Sequence, residues 1–176
     1  MSSSTGSSAP QKRARWRIRG LLPTERSAIE SILRRTGAFS QDEVDCALSL
    51  VDSTFDDPDQ ADPYRFAVAV GDDDVIVGYA CWGTSPMTKG TYDLYWIATD
   101  PGVQGGGSGR ALLAHVEDDV RRAEGRMLLI ETSSRDDYGK TQHFYEKCGY
   151  SIEVRLKDYY SVGDDKLVYV KRFSAS

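Results

Sequence analysis

The feature that most constrains this chain is a glycine-rich turn between an apolar strand and an amphipathic helix. Aromatic and β-branched residues run from Tyr92 to Thr99 and indicate a β-strand, which cannot continue through Pro101. The apolar residues after Ser108 recur at helical spacing. Glycines between these two elements leave main-chain N–H groups free at a helix N-terminus, where an anion is stabilised. The pattern therefore predicts a phosphate-binding loop.

The spacing of the glycines distinguishes between classes of phosphate-binding loop. The P-loop requires a lysine after its last glycine, but Ser108 follows Gly107. The dinucleotide-binding pattern Gly-x-Gly-x-x-Gly requires a glycine where Arg110 stands. The pattern that does fit is Gln/Arg-x-x-Gly-x-Gly/Ala, which Gln104, Gly107 and Gly109 fill. For the glycine cluster taken alone, a flexible turn without a ligand is the alternative interpretation.

Two segments together resemble one known family. The loop pattern and the Ile97-Ala98-Thr99 segment before it resemble the coenzyme A pyrophosphate loop of the GNAT acyltransferase superfamily. The segment Phe144–Tyr150 is similar to the Phe/Leu-Tyr-x-x-x-Gly-Phe/Tyr motif of the same superfamily. The resemblance extends from Arg15 to Phe173 and is somewhat closer to the branch that acetylates the N-termini of ribosomal proteins. Two motifs in the right order seldom coincide by chance.

The periodicity of the remaining chain predicts the element order β-α-α-β-β-β-α-β-α-β-β, which is the order of the GNAT fold. Ser40 and Glu43 form a capping box at the start of the second helix. A polar loop, Lys157–Asp165, is expected between the last two strands. We therefore expect an α/β fold of the α+β type: a mixed, mostly antiparallel central sheet with a splayed parallel pair and flanking helices.

The length of 176 residues suits one domain. We expect a disordered Ser-rich tail or cloning remnant at 1–14 and a single acetyltransferase-like domain at 15–176. The formal net charge of −5 gives no reason to expect nucleic acid or an anionic membrane as a partner, and it slightly favours a cationic one. No apolar run has the length of a membrane span, and three cysteines without paired spacing fit a reducing compartment, so a cytoplasmic protein is expected.

The resemblance implies that acetyl-CoA is the co-substrate. The two histidines lack the spacing of metal ligands, so no metal is expected. The sequence leaves open whether the protein is a monomer or a homodimer. The residues that the resemblance assigns to coenzyme binding are Ile97, Ala98, Thr99, Gln104, Gly105, Gly106, Gly107, Ser108, Gly109 and Arg110.

The resemblance also implies the catalytic groups. Tyr145 would protonate the departing thiolate as a general acid; its alternative role is a wall of the substrate pocket. Glu131, slightly favoured, and Asp93 are the two candidates for the base that takes the proton of the amine. A carboxylate that only steers the amine, and a water relay, remain alternatives. We also expect the strand residues Cys81 and Trp82 near the cleft, and acidic loop residues around the acceptor: Asp56, Asp57, Asp59, Asp136, Asp137, Asp158, Asp164 and Asp165.

The resemblance therefore implies an N-acetyltransferase that moves an acetyl group to a primary amine by direct attack in a ternary complex. The acceptor would be a small-molecule amine, a peptide N-terminus or a lysine. Two other classes of function stay open: a coenzyme A-binding regulatory module without turnover, and a structural or partner-binding domain.

Overall fold

A computed structural model of the chain describes residues 16–56 and 64–174, so the predicted tail at 1–14 lies outside the described residues. The predicted element order is confirmed. Short 3₁₀ turns lie before the first helix, after the fourth strand and before the last helix. The strands are β1 (Arg17–Gly20), β2 (Arg65–Val70), β3 (Ile76–Thr84), β4 (Thr91–Thr99), β5 (Met127–Ser133), β6 (Ser151–Ser161) and β7 (Asp164–Arg172). The helices are α1 (Arg26–Thr36), α2 (Gln41–Asp56), α3 (Ser108–Arg122) and α4 (Gly139–Lys147).

The seven strands form one sheet in the order β1-β2-β3-β4-β5-β7-β6. Only β4 and β5 are parallel, as expected for two strands joined through a helix. Helix α3 packs its apolar stripe on one face of the sheet, and α1 and α2 cover the other face. Each face of the sheet has its own cluster of buried residues. The fold class predicted from the sequence is therefore confirmed.

The parallel pair separates because β4 contains a bulge. Cys81 of β3 pairs with Trp96, but its neighbour Trp82 pairs with Leu94, so Tyr95 is an extra residue in β4. The ladder between β4 and β5 stops at Leu94 and Ile130, immediately before that extra residue. Beyond Leu94, β4 and β5 diverge and no longer form ladder pairs with each other.

The capping box of α2 is confirmed. The main-chain N–H of Ser40 donates to Oε2 of Glu43 at 2.7 Å, and the N–H of Glu43 donates to Oγ of Ser40 at 3.3 Å. This cap fixes the turn between α1 and α2, which contains Ala38 and Phe39. That turn contributes walls to the cavities described below.

The polar loop expected at Lys157–Asp165 is wrong, because β6 continues to Ser161 and turns tightly into β7. Polar side chains satisfy the main chain here. The N–H of Asp158 donates to Oδ1 of Asp165 at 2.9 Å, and the N–H of Gly163 donates to Oδ1 of Asp158 at 2.6 Å. All eleven residues of β6 are exposed at the sheet edge, so their polarity reflects contact with water rather than a loop conformation.

Candidate active site

Two cavities meet where β4 and β5 diverge. The first, which we call the loop cavity, has a volume of about 600 Å³ and lies against the glycine loop. The second, the carboxylate cavity, has a volume of about 550 Å³ and lies against β5 and the turn after α1. Their shared walls make them two ends of one site. The residues that line both are Ala38, Phe39, Ile97, Thr141 and Tyr145.

The glycine loop presents unpaired donors to the loop cavity. Gly107 is the N-cap of α3 with φ +86°, and Gly105 has φ +83°. Within the described chain, the N–H groups of Gly105, Gly107 and Ser108 reach no acceptor, and the first N–H of α3 that does is that of Ala111, on the carbonyl of Gly107 at 3.0 Å. Unpaired N–H groups at a helix N-terminus are suited to binding a phosphate.

Nine of the ten residues that the resemblance assigns to coenzyme binding line the loop cavity. Gly106 does not, because it faces Trp16, whose Nε1 donates to the carbonyl oxygen of Gly106 at 2.7 Å. The nine are Ile97, Ala98, Thr99, Gln104, Gly105, Gly107, Ser108, Gly109 and Arg110.

Tyr145 lies at the junction of the two cavities. Its side chain is held by ring contacts with Phe144, Tyr150 and Tyr169, at centroid distances of 5.4, 6.2 and 5.7 Å. Only 4% of the residue is exposed. Burial raises the pKa of its hydroxyl above the ordinary value, so the group holds its proton at neutral pH.

Glu131 lines the carboxylate cavity together with Tyr145. Its Oε2 lies 2.5 Å from Nζ of Lys166, whose ammonium also stands 4.7 Å from the ring centroid of Tyr159. Burial lowers the pKa of Lys166, but the hydrogen bond and the negative charge of Glu131 outweigh this effect, so the pKa is raised. Lys166 therefore stays charged and is a built-in partner of the Glu131 carboxylate.

Asp93 lines neither cavity. It is half-buried beside β5, and Oγ of Ser85 donates a hydrogen bond to its Oδ2. Burial raises the pKa of Asp93, and the nearby charge of Glu131 adds to the increase, while the hydrogen bond from Ser85 opposes it. The structure thus brings Glu131 and Tyr145 together on one cavity and places Asp93 behind them.

Other residues predicted near the acceptor lie elsewhere. Cys81 and Trp82 are buried in the core, so neither lines the cleft. Burial raises the pKa of the Cys81 thiol, which disfavours a reactive thiolate. Of the predicted acidic residues that the structure describes, Asp164 alone lines the carboxylate cavity. Asp57 and Asp59 lie outside the described residues.

Several walls of the carboxylate cavity were not among the site residues predicted from the sequence. Phe39 follows α1, Tyr138 precedes α4 and Tyr160 lies in β6, so they come from three distant segments. The hydroxyl of Tyr138 approaches the carbonyl oxygen of Ala38 at 3.5 Å, across the opening between these segments. No local sequence pattern marks such residues, because their role depends on long-range packing.

Among residues 16–56 and 64–174, no cluster of three or more histidine, cysteine, aspartate or glutamate residues could hold a metal ion. No helix of the same ranges has the length and apolar character needed to cross a membrane.

A family model for an acetyltransferase (GNAT) domain matches residues 62–152, which is more than half of the chain. A solved GNAT-family structure from Desulfovibrio desulfuricans is 43% identical, covers 90% of this chain and 99% of that one, and superposes with a TM-score of 0.85. The protein belongs to the GNAT family. This GNAT protein is accordingly an acetyltransferase, as the resemblance implied. No curated protein sequence gives a significant match to it.

More distant solved structures share the GNAT fold. The ribosomal-protein-S18-alanine N-acetyltransferase of Escherichia coli is 22% identical, with a TM-score of 0.71, and the match covers 92% of this chain and 96% of that one. A protein from Salmonella typhimurium, solved with its cofactor acetyl-CoA, is 18% identical, with a TM-score of 0.71 and coverage of 93% and 96%.

Proposed function

We propose that this GNAT protein transfers the acetyl group of acetyl-CoA to a primary amine by direct attack in a ternary complex. The observation that carries the proposal is the position of Tyr145, which lines both cavities at their junction. A donor in the loop cavity and an acceptor in the carboxylate cavity would meet at this side chain. Direct attack requires such a meeting point.

The loop cavity would hold the coenzyme. Its pyrophosphate would accept hydrogen bonds from the N–H groups at the start of α3, and Arg110 would add a positive charge. The edge of β4 from Trp96 onward, beyond the ladder with β5, would pair with the amide groups of the pantetheine arm. This path leads the thioester toward Ile97 and Tyr145.

The proton balance of the reaction assigns the remaining roles. The neutral amine attacks the thioester carbonyl, the carbon–sulfur bond breaks, and the thiolate takes the proton of the Tyr145 hydroxyl. The hydroxyl is protonated before the reaction, but burial, which raises the pKa of Tyr145, makes it a weaker acid, so its position at the junction of the cavities is what favours this role. The main-chain groups near Ile97 would stabilise the developing oxyanion.

The proton of the amine would go to Glu131, directly or through a water molecule. Glu131 lines the same cavity as Tyr145, which favours it on position. Its contact with Lys166 opposes the role, since the ammonium already occupies Oε2 of the carboxylate. Asp93 has the raised pKa that suits a base but lies behind the cavity, so it is the second candidate.

A primary amine suits the carboxylate cavity. Among the described residues that line it are three carboxylates, those of Glu43, Glu131 and Asp164, and one cation, Arg135, while Lys166 pairs with Glu131 from outside the lining. Aromatic side chains from Phe39, Trp96, Tyr138 and Tyr160 form much of the remaining wall. This mixture would attract a protonated amine on a small molecule, a peptide N-terminus or a lysine, and we expect neither nucleic acid nor a membrane as partner. A monomer and a homodimer are both compatible with this site.

The test is release of the coenzyme A thiol in the presence of a panel of amines and peptides, with product masses recorded. Acetylated product with the wild-type protein and a strongly reduced rate with Tyr145→Phe would support the proposal. Binding of acetyl-CoA without release of thiol for any amine would instead favour the coenzyme A-binding regulatory module. Absence of acetyl-CoA binding would contradict both and favour a structural or partner-binding domain.

A further inference from the structure

Trp16 connects the start of the first strand to the glycine loop. Its Nε1 donates to the carbonyl oxygen of Gly106 at 2.7 Å across ninety positions of the sequence. Its ring carbon Cζ2 lies 3.1 Å from the position that a Cβ on Gly106 would occupy. The indole is partly buried and packs against the cluster of core residues under α3. The contact is therefore anchored in the core of the fold.

The hydrogen bond sets the direction of the next N–H group. In a trans peptide the C=O and the N–H point in opposite directions. Holding the carbonyl of Gly106 toward Trp16 therefore turns the N–H of Gly107 away from it. Gly105 and Gly107 line the loop cavity, whereas Gly106 does not. This difference between neighbouring glycines is what the peptide geometry requires.

The glycines flanking this peptide make such a restraint necessary. Gly105 and Gly107 have φ values of +83° and +86°, and a Cβ added at either meets no atom within 4 Å. No atom is packed where a side chain at either position would lie, and glycine reaches many backbone conformations at low cost. A loop free to rotate the Gly106–Gly107 peptide would have to be ordered when the coenzyme binds, which would weaken binding.

We propose that Trp16 is a positioning residue for the coenzyme, whose indole orients the Gly106–Gly107 peptide so that the loop N–H groups face the pyrophosphate. The inference rests on the proposed coenzyme site. It extends that site to a residue that lines neither cavity and that lies outside both motifs of the sequence. Its effect concerns the binding of the phosphate portion and not the chemical step.

The test compares two tryptophan variants. Trp16→Phe keeps an aromatic ring against Gly106 but removes the N–H donor. Trp82→Phe is the matched control, because the indole of Trp82 also donates a hydrogen bond, to Oδ2 of Asp119 at 3.0 Å, but lines neither cavity. The Kd of acetyl-CoA is measured by calorimetry. The Kd of S-acetylpantetheine, which lacks the pyrophosphate, is measured by competition, and the melting temperature of each protein without ligand is recorded.

We expect Trp16→Phe to raise the Kd of acetyl-CoA about five- to tenfold, as loss of one orienting hydrogen bond predicts. The Kd of S-acetylpantetheine should change less than about twofold, and Trp82→Phe should change neither Kd by more than that. An unchanged Kd of acetyl-CoA in Trp16→Phe would overturn the inference. So would equal weakening of both ligands, which would indicate a general loss of structure.

The outcome separates this inference from the proposed function. If the wild-type protein binds acetyl-CoA and Gly107→Val weakens binding while Trp16→Phe does not, the coenzyme site stands and the role of Trp16 is wrong. If the wild-type protein does not bind acetyl-CoA, both are wrong.

Discussion

Replacing Gly107 by valine tests whether the conformation of the loop is needed for coenzyme binding. Gly107 has φ +86°, and a Cβ at this position would meet no atom within 4 Å. The substitution therefore introduces backbone strain without a steric clash. For a residue with a Cβ, the left-handed region costs roughly 1–2 kcal/mol, and a β-branched side chain tolerates it poorly.

The loop can respond to this strain in two ways. If it keeps its conformation, the free energy of unfolding falls by the strain, which corresponds to roughly 2–8 °C in Tm for a chain of this size. If it relaxes to negative φ, the N–H groups no longer converge on one point of the loop cavity. We then expect the Kd of acetyl-CoA to rise tenfold or more, which corresponds to about 1.4 kcal/mol.

Gly163 offers a matched control for this substitution. It has φ +84°, and a Cβ there also meets no atom within 4 Å, but it lies in the β6–β7 turn and lines neither cavity. Gly163→Val should show a similar loss of Tm with an unchanged Kd of acetyl-CoA by calorimetry. If Gly107→Val keeps the Tm of the wild-type protein, so that the loop has relaxed, and still binds acetyl-CoA as tightly as Gly163→Val does, the assignment of the loop to the pyrophosphate is refuted.

Three further changes test the chemistry. Tyr145→Phe removes one hydroxyl and little volume, so steady-state kinetics should show a lower kcat with nearly unaltered acetyl-CoA affinity, whereas an equal loss of both would make Tyr145 a packing residue. The value of kcat/KM should rise from about pH 6 toward pH 8.5 as the amine loses its proton, and for a cationic acceptor it should fall with added salt. If Glu131→Gln and Asp93→Asn both leave the pH profile of kcat/KM unchanged, neither carboxylate is the base. Asp93→Asn should also raise Tm at neutral pH. Because burial raises the pKa of Asp93 in the folded protein, stability is lost as pH rises from the pKa of this carboxyl in the unfolded chain to its pKa in the folded one. The gain in Tm should therefore vanish below about pH 4, and a gain that persists there would contradict this cause.

The parts of the candidate site that the sequence indicated are those encoded by short-range patterns. The glycine loop follows from the spacing of Gln104, Gly107 and Gly109, and the placement of Tyr145 beside it follows from one contiguous motif. The element order and the mixed sheet follow from periodicity in the same way. Their roles in catalysis and binding remain proposals.

Long-range contacts account for what the sequence did not predict. The ion pair of Glu131 and Lys166 depends on the pairing of β5 with β7, and neither residue has a local signal of it. The orientation of Gly106 depends on Trp16, ninety positions away. The polar residues at the end of β6 predict a loop, because an edge strand exposed to water has a composition similar to that of a loop.

Because of the bulge at Tyr95, the opening between β4 and β5 depends on the number of residues in β4. Trp96 lies opposite Cys81 and Leu94 lies opposite Trp82, so deletion of Tyr95 would make the register with β3 continuous and leave these pairs in place. The side chain of Ile97 would stay opposite Ala80, but β4 would be free to extend its ladder with β5 across the cleft. Tyr95 should accordingly tolerate a substitution better than a deletion, because the opening in the sheet depends on the presence of a residue there, whereas its ring supplies a contact with Tyr64 and a wall of the carboxylate cavity.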